Sequence, residues 1–178
     1  MGLMGSGKTV VGRALATRLG WTFDDSDDAL DQAIGTTARE IDARFGTVRL
    51  HELERDHLLT ALRAPTNRVI TAAASAVEEP RCVAALEAPD VLVVLLRASV
   101  ETLVKRFESS SHRPLLGADP ETMFRAQEAA RGPTLERLAD YAVDVDLADS
   151  PERLGRAARA IADRVRGATS AGAARGYR

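Results

Sequence analysis

Gly2-Leu3-Met4-Gly5-Ser6-Gly7-Lys8-Thr9 fits G-x-x-x-x-G-K-[ST] and runs straight into an apolar-striped helical segment. That combination is the P-loop, and each residue type in it has a chemical reason. Gly2, Gly5 and Gly7 let backbone N–H groups curl around phosphate oxygens, with Ser6 between them, and the helix that follows adds its positive end. Lys8 supplies a mobile positive charge for the β- and γ-phosphates, and the Thr9 hydroxyl is suited to ligate Mg²⁺. Nucleotide binding is therefore the first functional expectation. A P-loop ordinarily hangs from the end of a buried strand, yet only Met1 precedes Gly2. Losing such a strand forfeits roughly 1.5–3 kcal/mol for each apolar side chain. The expectation is a chain start upstream of Met1.

Outward from the loop, helical and short apolar segments alternate, the signature of a parallel α/β sheet. Helices are expected over 7–19, 29–34, 48–62, 80–86, 99–107, 120–131 and onward, and 151–165. Strands are expected over 21–23, 68–72, 91–96 and 141–145. Thr37-Ala38-Arg39-Glu40 reads as a capping box opening a short helix that closes near Gly46. Asp119-Pro120 reads as an N-cap followed by a first-turn proline. The polar stretch 108–118 reads as a mobile loop, and residues 167–178 as a disordered tail.

The composition is ordinary for a folded domain: 178 residues, 45% hydrophobic and 28% charged. One domain over 1–166 is expected at this length. Twenty-six acids against 24 bases give a net charge of -2, which argues against a broad nucleic-acid-binding face. No apolar run approaches the roughly 20 residues needed to span a bilayer. The expectation is a soluble, cytoplasmic monomer. The single cysteine, Cys82, excludes an internal disulfide framework and reads as a packed side chain.

Past the P-loop, four further stretches follow in order: Phe23-Asp24-Asp25-Ser26-Asp27, Leu50-His51-Glu52-Leu53-Glu54, His112-Arg113-Pro114-Leu115-Leu116, and Arg131-Gly132-Pro133-Thr134-Leu135. With the P-loop, this series resembles shikimate kinase from Gly2 to about Asp146. The resemblance implies a P-loop NTPase fold: an α/β domain with a doubly wound, mostly parallel sheet and helices on both faces. It also implies an acceptor-binding flap at about 27–59, a lid at about 108–118, and use of ATP and Mg²⁺ to phosphorylate shikimate or a similar small anionic hydroxy acid. Lys8, Asp25 and Arg113 would be catalytic, with Asp25 and Thr9 holding Mg²⁺. Arg106 would lie against the adenine. Asp27 would bind acceptor hydroxyls, and Arg131 would grip a carboxylate, for which a guanidinium fork is suited. Taken one at a time, Asp27 also reads as a helix cap, and each arginine as a solvated surface charge.

Two departures fall in the acceptor half. His51 stands where the family carries a carboxylate-binding arginine, and Ala73, Ala74 and Ser75 stand where three glycines belong. A neutral imidazole grips a carboxylate weakly; beside Glu54 and an anionic substrate it could instead be held protonated, and a packed structural histidine is a further reading. The added side chains demand ordinary backbone angles, and Ser75 offers a hydroxyl to the acceptor. Leu135 stands where the family usually has tyrosine. Two other readings remain open from sequence: a gluconate-kinase-like sugar-acid kinase, and an ATP-binding protein that has lost phosphotransfer.

Overall fold

A computed structural model describes residues 1–109, 119–146 and 150–175. The element order is α1 (Lys8–Leu19), β1 (Thr22–Asp25), α2 (Ser26–Ile34), α3 (Ala38–Phe45), α4 (Thr47–Leu62), β2 (Arg68–Thr71), a 3₁₀ turn (Ala74–Glu78), α5 (Pro80–Leu86), β3 (Val94–Arg97), α6 (Val100–Glu108), α7 (Pro120–Leu138), β4 (Tyr141–Asp144) and α8 (Pro151–Arg175). Local chemistry sets many of these boundaries. Gly20 ends α1 in the left-handed conformation at φ 68°. Thr37 and Glu40 form the expected capping box, Ser99 accepts from the Thr102 amide at the start of α6, and Asp119 caps α7 ahead of Pro120.

The described strands pair in parallel, β1 with β2 and β3 with β4, as two two-stranded ladders. Met1 extends the second ladder: its amino group donates to the Val94 carbonyl at 2.8 Å, and its own carbonyl accepts from the Leu96 amide at 2.9 Å. Helices cover both faces, as the alternation within β3 makes plain. Leu95 points into a core with Leu58, Leu59, Cys82, Leu103, Phe107 and Phe124. Its neighbour Leu96 points into a second core with Val11, Leu15, Val145, Ile161 and Val165. Phe107 and Phe124 meet edge to face at 5.9 Å, joining α6 to α7. Cys82 is fully buried, and burial pushes its thiol pKa up, in keeping with a packed side chain.

The structure moves several boundaries. β1 runs to Asp25 rather than Phe23, and α2 begins at once at Ser26, because the Asp25 side chain caps it. β3 starts only at Val94; before it, the Val93 amide donates to the Asp140 carboxylate at 2.7 Å rather than to a strand. The alanine-rich stretch after β2 forms a 3₁₀ turn that no motif announced. α8 continues through Gly167 to Arg175, beyond the expected end at Val165 and into the stretch read as a disordered tail. Alanine supplies much of that extension and is the best helix former, so Gly167 and Gly172 do not stop it. No helix among the described residues is long and apolar enough to cross a membrane.

Candidate active site

The P-loop geometry follows from its glycines. Gly5 and Gly7 have φ of 85° and 92°, angles that side chains rarely adopt. Gly2 is fixed by space as well: a Cβ there would lie 2.6 Å from Ser6 Oγ and 2.7 Å from the Leu96 carbonyl. Gly7 caps α1 without a side-chain acceptor, so the first-turn amides of α1 meet no capping oxygen from it. Ser6 is fully buried, and its Oγ has no hydrogen-bond partner among the described residues. Lys8 Nζ donates to the Gly2 and Leu3 carbonyls at 2.9 and 3.1 Å, folding its charge over the loop. Arg106 reaches in from α6, donating to the Gly5 carbonyl at 3.1 Å and the Val145 carbonyl at 2.6 Å. A cradle of amides at a helix N-terminus, closed to any Cβ at Gly2 and bordered by an ammonium and a guanidinium, fits a polyphosphate.

Asp25 is the next expected site residue along the chain. It is buried at the end of β1, where its Oδ1 accepts from the Asp27 and Asp28 amides at 3.0 and 3.4 Å. Its Oδ2 accepts from Thr71 Oγ1 at 2.6 Å across the β1–β2 ladder. The helix cap is thus Asp25 rather than Asp27, whose side chain stands exposed on the first turn of α2. Asp24, one residue earlier, accepts from Arg68 Nη1 at 2.8 Å, tying β1 to β2, and His57 Nε2 of α4 lies 2.9 Å from its other oxygen without a hydrogen bond. Thr9 is exposed on the first turn of α1. No cluster of three or more His, Cys, Asp or Glu side chains forms a metal site among the described residues. A hydroxyl and a carboxylate beside substrate phosphates are nonetheless the hard-oxygen set that Mg²⁺ uses when phosphates complete its shell.

The residues expected to meet the acceptor come from α4, the 3₁₀ turn and α7. Ala73 has φ −60° and ψ 146°, and no described non-glycine residue has positive φ, so the alanines hold the ordinary angles expected of them. Ser75 Oγ donates to Glu54 Oε2 at 2.6 Å, and both residues are buried. Burial raises the Glu54 pKa; the Ser75 bond opposes that, Asp27 adds to it, and Arg131 and Lys8 lower it. Arg131 Nη2 donates to Glu78 Oε2 at 3.0 Å. His51 is half-buried, and burial followed by the Arg131 charge lowers its pKa, outweighing Glu78 and Asp42. The neutral imidazole is therefore favoured here over the protonated one.

Asp25, Asp27, Glu54, Arg131 and the P-loop residues all lie within the described chain, and Glu54 feels the charges of Lys8, Asp27 and Arg131 at once. Arg113 and residues 110–118 of the expected lid lie outside the described residues. The sequence did not single out Thr71, Glu78 or the Asp24–His57–Arg68 group. Only the parallel register that sets Thr71 beside Asp25 gives the first a signal.

The family model for shikimate kinase matches residues 4–165. A shikimate kinase of Caldanaerobacter subterraneus subsp. tengcongensis is 34% identical over 145 residues, 81% of this chain and 83% of that protein. Among solved structures, shikimate kinase from Bacteroides thetaiotaomicron superposes with a TM-score of 0.81 at 22% identity, covering 93% of this chain and 96% of that one. Shikimate kinase from Acinetobacter baumannii, in complex with shikimate, gives a TM-score of 0.76 at 27% identity, covering 96% and 90%. The fold is that of the P-loop NTPases, and the activity is ATP-dependent phosphotransfer to an alcohol group. The P-loop geometry accords with these matches, which establish that the chain belongs to the shikimate kinase family.

Proposed function

We propose that the protein transfers the γ-phosphoryl group of ATP to a hydroxyl of shikimate, with Mg²⁺ held by Thr9 and Asp25. One observation supports this above the others: the buried Glu54 carboxylate feels Lys8 from the phosphate loop, Asp27 from the start of α2 and Arg131 from α7. Groups proposed for the phosphates and for the acceptor thus lie within electrostatic reach of one carboxylate. The amides of the loop and Lys8 take the β- and γ-phosphates. Asp25, locked by two amides and Thr71, presents a fixed carboxylate. Mg²⁺ when bound would neutralise charge on the phosphates. Asp27 accepts from acceptor hydroxyls, and Arg131 takes the acceptor carboxylate, with Ala73, Ala74, Ser75 and the neutral His51 lining the wall. Arg106 braces the loop and, as the resemblance implies, borders the adenine; Arg113 would close over the transferring group.

The test is ADP release from Mg-ATP with shikimate, gluconate and related hydroxy acids, with Lys8→Ala as control. Lys8-dependent turnover on shikimate is expected. Turnover restricted to another acid would overturn the acceptor assignment while leaving the phosphate chemistry in place.

A further inference from the structure

Among the described residues, the contact between Arg131 and Glu78 runs against the role proposed for Arg131. A guanidinium meant for a substrate carboxylate already holds a protein carboxylate. That hold is thin. It consists of a single bond from Nη2 to one oxygen at 3.0 Å, made by a Glu78 side chain that is 43% exposed, whereas the Arg131 side chain is only 16% exposed. Arg131 Nε is buried and has no hydrogen-bond partner among the described residues. Glu78 is the last residue of the 3₁₀ turn, directly beyond the Ala73-Ala74-Ser75 wall. His51 lies within electrostatic reach of both members of the pair.

We propose that Glu78 is a built-in competitor that sets acceptor affinity: its carboxylate stands in for the acceptor's on Arg131 and is displaced when an acceptor carboxylate binds. This rests on the reading of Arg131 as the carboxylate grip. A substrate carboxylate gains by the exchange because it can engage the planar fork with both oxygens, while Glu78 uses one. An uncharged acceptor gains nothing and leaves the pair closed. The competing side chain therefore weakens binding of the acid modestly and leaves binding of an uncharged analogue as it was. An ion pair of this exposure corresponds to roughly a 2- to 5-fold change in affinity.

Steady-state kinetics at saturating ATP with shikimate and with its methyl ester test the proposal on the parent protein, Glu78→Gln and Arg131→Met. Glu78→Gln is expected to lower KM for shikimate by roughly 2- to 5-fold, with the change in KM rather than kcat, and to leave KM for the ester where it was. Glu78→Ala, which removes the carboxylate outright, moves KM in the same direction. A KM for shikimate that rises or stays level in Glu78→Gln, or an equal shift for acid and ester, overturns the competition. If Arg131→Met raises KM while Glu78→Gln fails to lower it, only the competition falls. If Arg131→Met leaves KM unchanged, the carboxylate grip itself is wrong, and the role of Glu78 falls with it.

Discussion

Replacing Ser75 by alanine removes the donor of the 2.6 Å bond to Glu54 Oε2 and leaves a buried carboxylate with one partner fewer. A hydrogen bond to a charged group contributes about 1.5–3 kcal/mol, and one to a neutral group about 0.5–1.5 kcal/mol. Which applies depends on the protonation state of Glu54. Burial raises its folded pKa above the ordinary 4.5, so the fold prefers the protonated form. The stability this preference contributes is fully present below 4.5 and is lost as pH rises through the raised folded value. Ser75 opposes the rise, so removing it lifts the folded pKa further and makes the ionised state costlier above it. For a chain of this length each kcal/mol moves Tm by about 2–4 °C, so the loss near pH 8 is about 3–12 °C. Near pH 4.5 the loss should be smaller, because only a neutral hydrogen bond is removed there. Calorimetric melts of parent and Ser75→Ala at both pH values measure the difference. Equal Tm losses at the two pH values, or none near pH 8, would refute the argument that Ser75 supports an ionised, desolvated Glu54.

Two further substitutions probe the elements that hold the site. Gly12→Ala places a Cβ 2.5 Å from Thr71 Cγ2 and 2.8 Å from Phe23 Cε2, where α1 lies against β1 and β2. Overpacking of this kind costs about 1–3 kcal/mol, and urea unfolding of the variant should show it; parent-like stability would mean that α1 does not sit so close. Thr71→Val keeps the shape but withdraws the hydroxyl from Asp25 Oδ2. Turnover should fall roughly 10-fold with KM for ATP little changed, since a supporting partner orients the group it contacts. A variant with parent-like kcat would show that Thr71 does not position Asp25.

The phosphate half was legible in the sequence because its requirements are conformational. Only glycine tolerates φ of 85° and 92° at Gly5 and Gly7 or the 2.6 Å approach at Gly2, so the need is written directly as residue type and spacing. Caps were readable for the same reason, as at Thr37, Ser99 and Asp119. Helix capping was an alternative reading of Asp27, and the cap is Asp25 instead, because β1 runs two residues beyond its apolar stretch and neighbouring acids offer the same chemistry to the same amides. The acceptor wall was less legible because it is made by side chains from separate elements. Ser75 meets Glu54 across 21 positions and Arg131 meets Glu78 across 53, and neither pair has a local sequence signal. The tail failed for a different reason: its small residues suit a helix as well as a disordered chain, and α8 extends through them to Arg175.

The His51 departure in the acceptor half acts through charge. A neutral His51 where the family carries an arginine leaves one cation fewer near Glu54, Glu78 and Asp27, at a proposed site that must also admit phosphates and an acidic acceptor. Each remaining negative charge then raises the cost of bringing in another. A raised Glu54 pKa eases this, because a carboxyl that accepts a proton as the anions arrive withdraws one negative charge. Displacing Glu78 from Arg131 eases it again, since a half-exposed carboxylate can turn to water once the substrate's own takes its place. On this argument the substitution at His51 is tolerable only alongside acids that can be neutralised or moved. Restoring the cation by His51→Arg should therefore lower KM for shikimate more in the presence of Glu78 than in its absence, since a second guanidinium gives Glu78 somewhere else to bind. Kinetics of the single and double variants with Glu78→Gln measure that coupling, and additive effects would separate the two positions.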